Sequence, residues 1–128
     1  MTQQVTRGIK VSVTTSYENS FLKLNELKYV FSYLITIENQ RKETVQLISR
    51  FWRIKDALNY PEMVMGEGVV GEKPVLMPGE SYSYSSGCHL YSPFGSMIGH
   101  FNMVDLKSGE PFRVQIPLFK LKAEFAMN

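Results

Sequence analysis

Three glycines at a fixed spacing are the first residues in this chain that could do chemistry: Gly66, Gly68 and Gly71 form a literal G-x-G-x-x-G. In dinucleotide-binding proteins that spacing lets the backbone approach a pyrophosphate at the N-terminus of a helix. Here the sequence leaves no room for the helix. Pro74 comes just after Gly71 and Pro78-Gly79 soon follow, and proline removes a backbone donor and clashes in a helix interior. Two readings remain. One is a turn whose N–H groups cradle a phosphate as a nest, which needs no helix. The other is a bulged strand and tight turn, where glycine reaches φ values closed to other residues. Glu67 and Glu72 stand in or beside the motif and would repel an anion unless they point away.

The other reactive side chains do not assemble into a catalytic set. Ser81, Ser83, Ser85 and Ser86 would need a positioned base to act as nucleophiles, and the only histidines are His89 and His100. No G-x-S-x-G is present. The serines alternate with Tyr82 and Tyr84, as on the solvent face of a strand. Cys88 and His89 are adjacent, so in an extended chain they point to opposite faces and form no thiolate–imidazole dyad. The histidines lack H-x-x-x-H spacing and there is no C-x-x-C, so no metal site is expected. Met63, Met65, Met77, Met97 and Met103 read as core filler. No catalytic residue and no cofactor is expected. Tyr82, Tyr84, Tyr91, Phe94 and Phe101 exceed what one sheet face obviously needs. Aromatic residues of this kind fill cores and form protein interfaces, and Tyr91 and Phe94 are the ones expected at a partner surface.

These residues must be positioned by strands. Ile9, Val11, Val13, Thr15 and Tyr17 alternate with polar residues, the mark of a half-buried strand. Tyr29 to Glu38 forms a second strand. Val45 to Lys55 is a third, with Phe51 expected on the face of Val45 and Leu47, and Trp52 on the other face, toward the core. Met63 to Val70, Ser81 to Ser86, Met97 to Met103 and Phe112 to Ile116 follow, and Pro117 is expected to stop the last or place it at an edge. Met77-Pro78-Gly79-Glu80, Ser92-Pro93-Phe94-Gly95 and Lys107-Ser108-Gly109-Glu110 read as turns. Asn19 to Leu27 reads as an apolar loop. About seven strands with turns between them predict an all-β, immunoglobulin or fibronectin type III-like antiparallel β-sandwich.

The chain has 128 residues, the length of one domain spanning 1–128. Its net charge of +2 argues against nucleic acid, which needs a basic stripe. Arg41-Lys42, followed by Glu43, reads as solvated surface charge. A single cysteine permits no internal disulfide and fits a cytoplasmic protein. No signal peptide is visible, and no stretch approaches the roughly 20 apolar residues that span a bilayer.

The run from Val64 to Gly87, containing GEGVVGEKPVLMPGESYSYSSG, resembles the signature of the ApaG family. Leu90, Pro93, Gly95, Met97, Gly99 and Met103 are similar to its second half, and FRVQIPLFKL (Phe112 to Leu121) to its C-terminal strand. The segment SRFWRIKDA, with Arg50, Trp52 and Asp56, fits as well. The resemblance covers essentially the whole chain and implies a single fibronectin type III or immunoglobulin-like sandwich. It also implies an association with cobalt and magnesium efflux or resistance, although a chain without a membrane span cannot itself be the channel. In that family the glycine motif is read as a pyrophosphate or nucleotide contact. Related domains in an F-box protein and a DNA-polymerase-interacting protein imply protein–protein binding.

The leading expectation is therefore a non-enzymatic binding module, a monomer or homodimer, with an unidentified protein partner. The partner is expected at a strand edge, or at the loops near Gly66 to Gly71 and Tyr91 to Gly95. The alternatives are a phosphate, pyrophosphate or nucleotide-polyphosphate ligand on Gly66, Gly68 and Gly71, and an indirect role in Co2+/Mg2+ homeostasis.

Overall fold

The alternation that starts at Ile9 does what period two predicts: Ile9, Val11 and Val13 are buried, while Lys10, Ser12 and Thr14 are not. A computed structural model describes residues 1–123. They form strands β1 (Thr2–Thr6), β2 (Ile9–Lys23), β3 (Glu26–Asn39), β4 (Val45–Asp56), β5 (Glu62–Glu67), β6 (Val75–Leu76), β7 (Ser81–Leu90), β8 (Phe94–Asp105) and β9 (Pro111–Lys122). One sheet has the order β1-β2-β3-β7 and the other β5-β4-β8-β9, with β6 added to β4. Every pairing is antiparallel. The two sheets enclose Phe31, Ile35 and Ile37 from β3, Phe101 and Met103 from β8, and Val114, Ile116 and Leu121 from β9. This is the expected immunoglobulin or fibronectin type III-like sandwich.

Several elements depart from the sequence reading, each for a local reason. Strand β1 is polar and almost entirely exposed, so it carries no alternation, yet it pairs with β2 through the tight Arg7-Gly8 turn. Strand β6 is two residues long. The Asn19 to Leu27 segment is not a loop. There β2 and β3 continue as one long hairpin, reversing at Leu24 (φ 51) and Asn25 (φ 64). Strand β9 does not stop at Pro117 but, as the other expectation had it, carries that proline at a sheet edge, where a β8 bulge between Met97 and Gly99 lies opposite.

The most consequential departure is in β4. A bulge between Leu47 and Ser49 reverses the phase of the strand. Val45, Leu47 and Trp52 therefore all face the core, and Trp52 packs edge-on to Phe119 at 5.7 Å between ring centroids. Phe51 turns outward and stacks on His100 at 5.1 Å. Arg50, two residues before Trp52, shares its inner face, opposite the buried Phe101.

Arg41 also differs from expectation. Its side chain, only 16% exposed, pairs with Asp105 at 3.1 Å and with Glu43 at 3.2 Å. It also lies over the Phe112 ring at 4.6 Å. It is a clamp at one end of the sandwich.

The two long sides of the sandwich are unlike. On one side the edge strands β1 and β9 meet, and the Gln115 N–H donates to Thr6 Oγ1 at 3.3 Å. On the other side the edges β5 and β7 stand apart, with a cleft between them.

Candidate functional site

Each glycine of the G-x-G-x-x-G has its own structural task. After β5 the chain reverses through Val69 to Glu72, whose N–H and C=O groups bond reciprocally at 2.8 Å. Val70 (φ 40) and Gly71 (φ 81) are the central residues, both with positive φ, as a two-residue hairpin turn requires. Gly68 has φ 58, and a Cβ there would stand 2.2 Å from the Glu72 carbonyl oxygen. Gly66 lies opposite Arg50 on β4, and a Cβ there would sit 2.8 Å from the guanidinium. That guanidinium donates through Nη1 to the carbonyl oxygens of Glu67 at 3.0 Å and Gly68 at 2.7 Å. The N–H groups of Gly68, Val69 and Glu72 are bonded to carbonyls of Ile48, Glu72 and Val69. Three donors of the loop are thus already paired. Glu67 points to solvent and pairs with Lys73 at 2.6 Å, which holds its carboxyl below the usual range.

The potential acid–base residues lie apart. His89 is exposed on β7 and meets Phe21 edge-on at 5.6 Å. His100 lies on the outer face of the other sheet, where burial and then Arg113 lower its pKa. Cys88 points inward while His89 points out, as alternation requires. Burial, with smaller effects from Glu62 and Asp56, pushes the Cys88 thiol up to about 11, so it stays protonated at neutral pH. Ser81, Ser83 and Ser85 face solvent. Among the described residues no three of His, Cys, Asp and Glu gather as a set of metal ligands.

The cleft between β5 and β7 encloses about 550 Å³ and is lined by Tyr33, Arg50, Trp52, Val64, Ser86 and Tyr91, among others. Tyr33 has its hydroxyl pKa raised by burial, against the opposing effect of the Ser86 hydroxyl. Tyr91 lines this cleft, whereas Phe94 lines a separate groove beside Leu118 and Lys120. The two expected contact residues are nonetheless at one end of the molecule. The Tyr91 N–H donates to Asp56 Oδ2 at 2.5 Å and the Ala57 N–H to the Phe94 carbonyl at 3.2 Å. Lys28, near the tip of the β2–β3 hairpin, places Nζ 4.9 Å from the Tyr91 ring centroid. Leu24, Leu58 and Tyr60 are exposed on the segments joined here.

Sequence reading alone does not single out Leu24, Leu58, Tyr60 or the inward face of Arg50. A signal exists for the first three, since each is a large apolar residue beside a turn former, Asn25, Asn59 or Pro61. For Arg50 the signal is its position two residues before Trp52, which puts both on one strand face.

Comparison with known proteins gives one consistent result. A family described as the ApaG domain matches residues 19–105. Protein ApaG of Mesorhizobium japonicum is 48% identical over 121 residues, covering 94% of this chain and 92% of that protein. Protein ApaG of Brucella anthropi is 50% identical with the same coverage. A crystal structure described as the putative ApaA protein from Bordetella pertussis superposes with a TM-score of 0.83 at 40% identity, covering 91% of this chain and 94% of that one.

Proposed function

The chain belongs to the ApaG domain family, and from that premise we propose that it is a non-enzymatic binding module whose partner is another protein. The observation that carries this reading is Leu24. It is 87% exposed at the tip of the β2–β3 hairpin, and it holds φ 51. A leucine there is unfavourable twice over, since its side chain gains nothing from burial and its backbone is in a region suited to Asn or Gly. Strain kept at an exposed apolar tip points to function rather than folding. Leu58, Tyr60, Tyr91 and Phe94 add exposed apolar area at the same end. Interfaces concentrate their affinity in a few such anchors. Among the described residues no hydrogen bond joins a serine or the Cys88 sulfur to either imidazole, and burial holds Cys88 as the thiol.

The glycine loop is the weaker site for a partner or a phosphate, because two of its donors close its own turn and a third, the Gly68 N–H, bonds the Ile48 carbonyl on β4. A role in metal homeostasis would then be indirect, through the partner.

The test compares two variants with the wild type in quantitative capture from native extract. Leu24→Asn relieves the turn, so it is expected to raise the denaturation midpoint while lowering recovery of the partner. Tyr91→Ala/Phe94→Ala is expected to lower recovery as well. Equal recovery by all three proteins would remove this end of the sandwich as the contact.

A further inference from the structure

We propose that the cleft between β5 and β7 is a site for a small ligand with an oxyanion head, a phosphate ester or a carboxylate, anchored by Arg50 and carrying an apolar tail. Arg50 faces inward on β4 and lies flat against Gly66. Its Nη1 is held by the Glu67 and Gly68 carbonyls, which fix the guanidinium without neutralising it. Among the described residues it has no carboxylate partner within ion-pair distance. A fixed, uncompensated guanidinium in a half-enclosed site is a receptor for an oxyanion, which it can bind through two parallel hydrogen bonds.

A second observation points the same way. Tyr84 is 7% exposed, and its hydroxyl has no hydrogen-bond partner. Native proteins rarely leave such a group unpaired. Tyr84 shares the inner face of β7 with Ser86, which lines the cleft. It stands two residues from Ser86, whose register partner on β3 is Tyr33. Tyr33 and Ser86 line the cleft with Arg50, and the unpaired Tyr84 hydroxyl lies on the same sheet face, next to them in the pairing of β3 with β7. Trp52, Ile54, Val64 and Met97 supply apolar wall for the tail. Of the charged side chains at the lining, Arg50 and Lys28 are positive and Glu62 negative, which leaves the cleft favourable to an anion. A few convergent polar groups on an apolar wall, in a volume of this size, are what small-ligand sites share. The glycine loop contributes only the carbonyls that hold Arg50, and its N–H groups take no part, so the site is distinct from a phosphate cradled by the N–H groups at Gly68 and Gly71.

The test uses the chain's single tryptophan, Trp52, as reporter. Its emission is followed while phenyl phosphate, phenylacetate or the neutral control benzyl alcohol is added up to about 10 mM, the range of weak fragment binding. A saturable change with at least one anionic probe is expected, and benzyl alcohol should bind about tenfold more weakly, because its head makes no charge-assisted bonds. Response to phenyl phosphate alone assigns phosphate esters, and response to phenylacetate alone assigns carboxylates. Arg50→Gln should lose about tenfold in affinity, the size of a lost charged hydrogen bond. Tyr84→Phe should weaken binding several-fold while leaving the melting temperature unchanged or higher, since it removes an unpaired hydroxyl. It also decides the matter if Arg50→Gln disturbs the loop. Gly71→Ala should leave affinity unchanged. The proposal is overturned by no saturable response to either anion, by equal binding of benzyl alcohol, by unchanged affinity in Tyr84→Phe, or by loss of binding in Gly71→Ala.

Discussion

Val70 is a β-branched residue at φ 40, with 57% of its surface exposed. Such a backbone costs roughly 1–2 kcal/mol for a residue with a Cβ. Asn followed by Gly is the preferred pair for this turn, and Gly71 already occupies the second position. Val70→Asn is therefore expected to stabilise the fold by about 1 kcal/mol, read as a higher urea midpoint with unchanged slope. The glycines should separate in the opposite direction. Gly71→Ala meets open space and pays only for its φ, about 1 kcal/mol. Gly68→Ala pays for φ and for a clash with the Glu72 carbonyl, and is expected to lose about 3 kcal/mol or more. Equal losses at the two positions would contradict the turn geometry. The spacing of the three glycines was plain in the sequence. What they face was not, because nothing in Gly66 announces the guanidinium packed on it.

At the scale of elements, alternation was legible wherever a strand keeps its phase, as in β3, β7 and the Ile9 to Tyr17 part of β2. It failed at β4 because the bulge beside Ile48 carries no glycine or other mark of its own. A one-residue slip exchanges the two faces of a strand, so Val45 and Leu47 join Trp52 on the core face instead of lying with Phe51 on the other. Strand β1 was illegible for a different reason: an exposed edge strand has no apolar face to reveal. Turns, too, hold an energetic device that residue types did not disclose. Asp105 accepts the N–H groups of Lys107 and Ser108 at the start of the β8–β9 turn and pairs with Arg41. The Ser108 and Lys107 N–H groups and then Arg41 hold its carboxyl below its ordinary 3.8. A lowered folded-state pKa gives stability that is complete above the ordinary value and is lost as pH falls through the lowered one. Urea midpoints should accordingly drop as pH is taken below about 4, and Asp105→Asn should flatten that drop. An identical acid slope in the variant would show that other carboxylates govern it.

At the scale of the molecule, the sandwich is fastened along one side and open along the other. Strand β5 is a short edge flanked by the cleft, with Met63 and Met65 exposed on it. Its amides are expected to exchange with solvent hydrogen well before those at the centres of β3 and β8, which are paired on both sides. Hydrogen exchange followed residue by residue checks this order. A ligand in the cleft should slow exchange in β5 and β7 together, whereas a protein docked on Leu24 and Tyr91 should protect the hairpin tip first.

The seam between β1 and β9 also has a consequence in time. It joins Thr6 to Gln115, 109 positions apart in the chain. Contacts so distant must wait for the chain between them to be ordered, which slows folding. On the ribosome, β1 to β8 emerge while Val114, Ile116 and Leu121, all fully buried in the finished core, are still to be made. For that interval β8 is an uncovered edge and the core lacks one wall, a state in which strands pair with wrong neighbours. Among the described strands β9 is translated after all the others, so the core gains that wall only when β9 arrives.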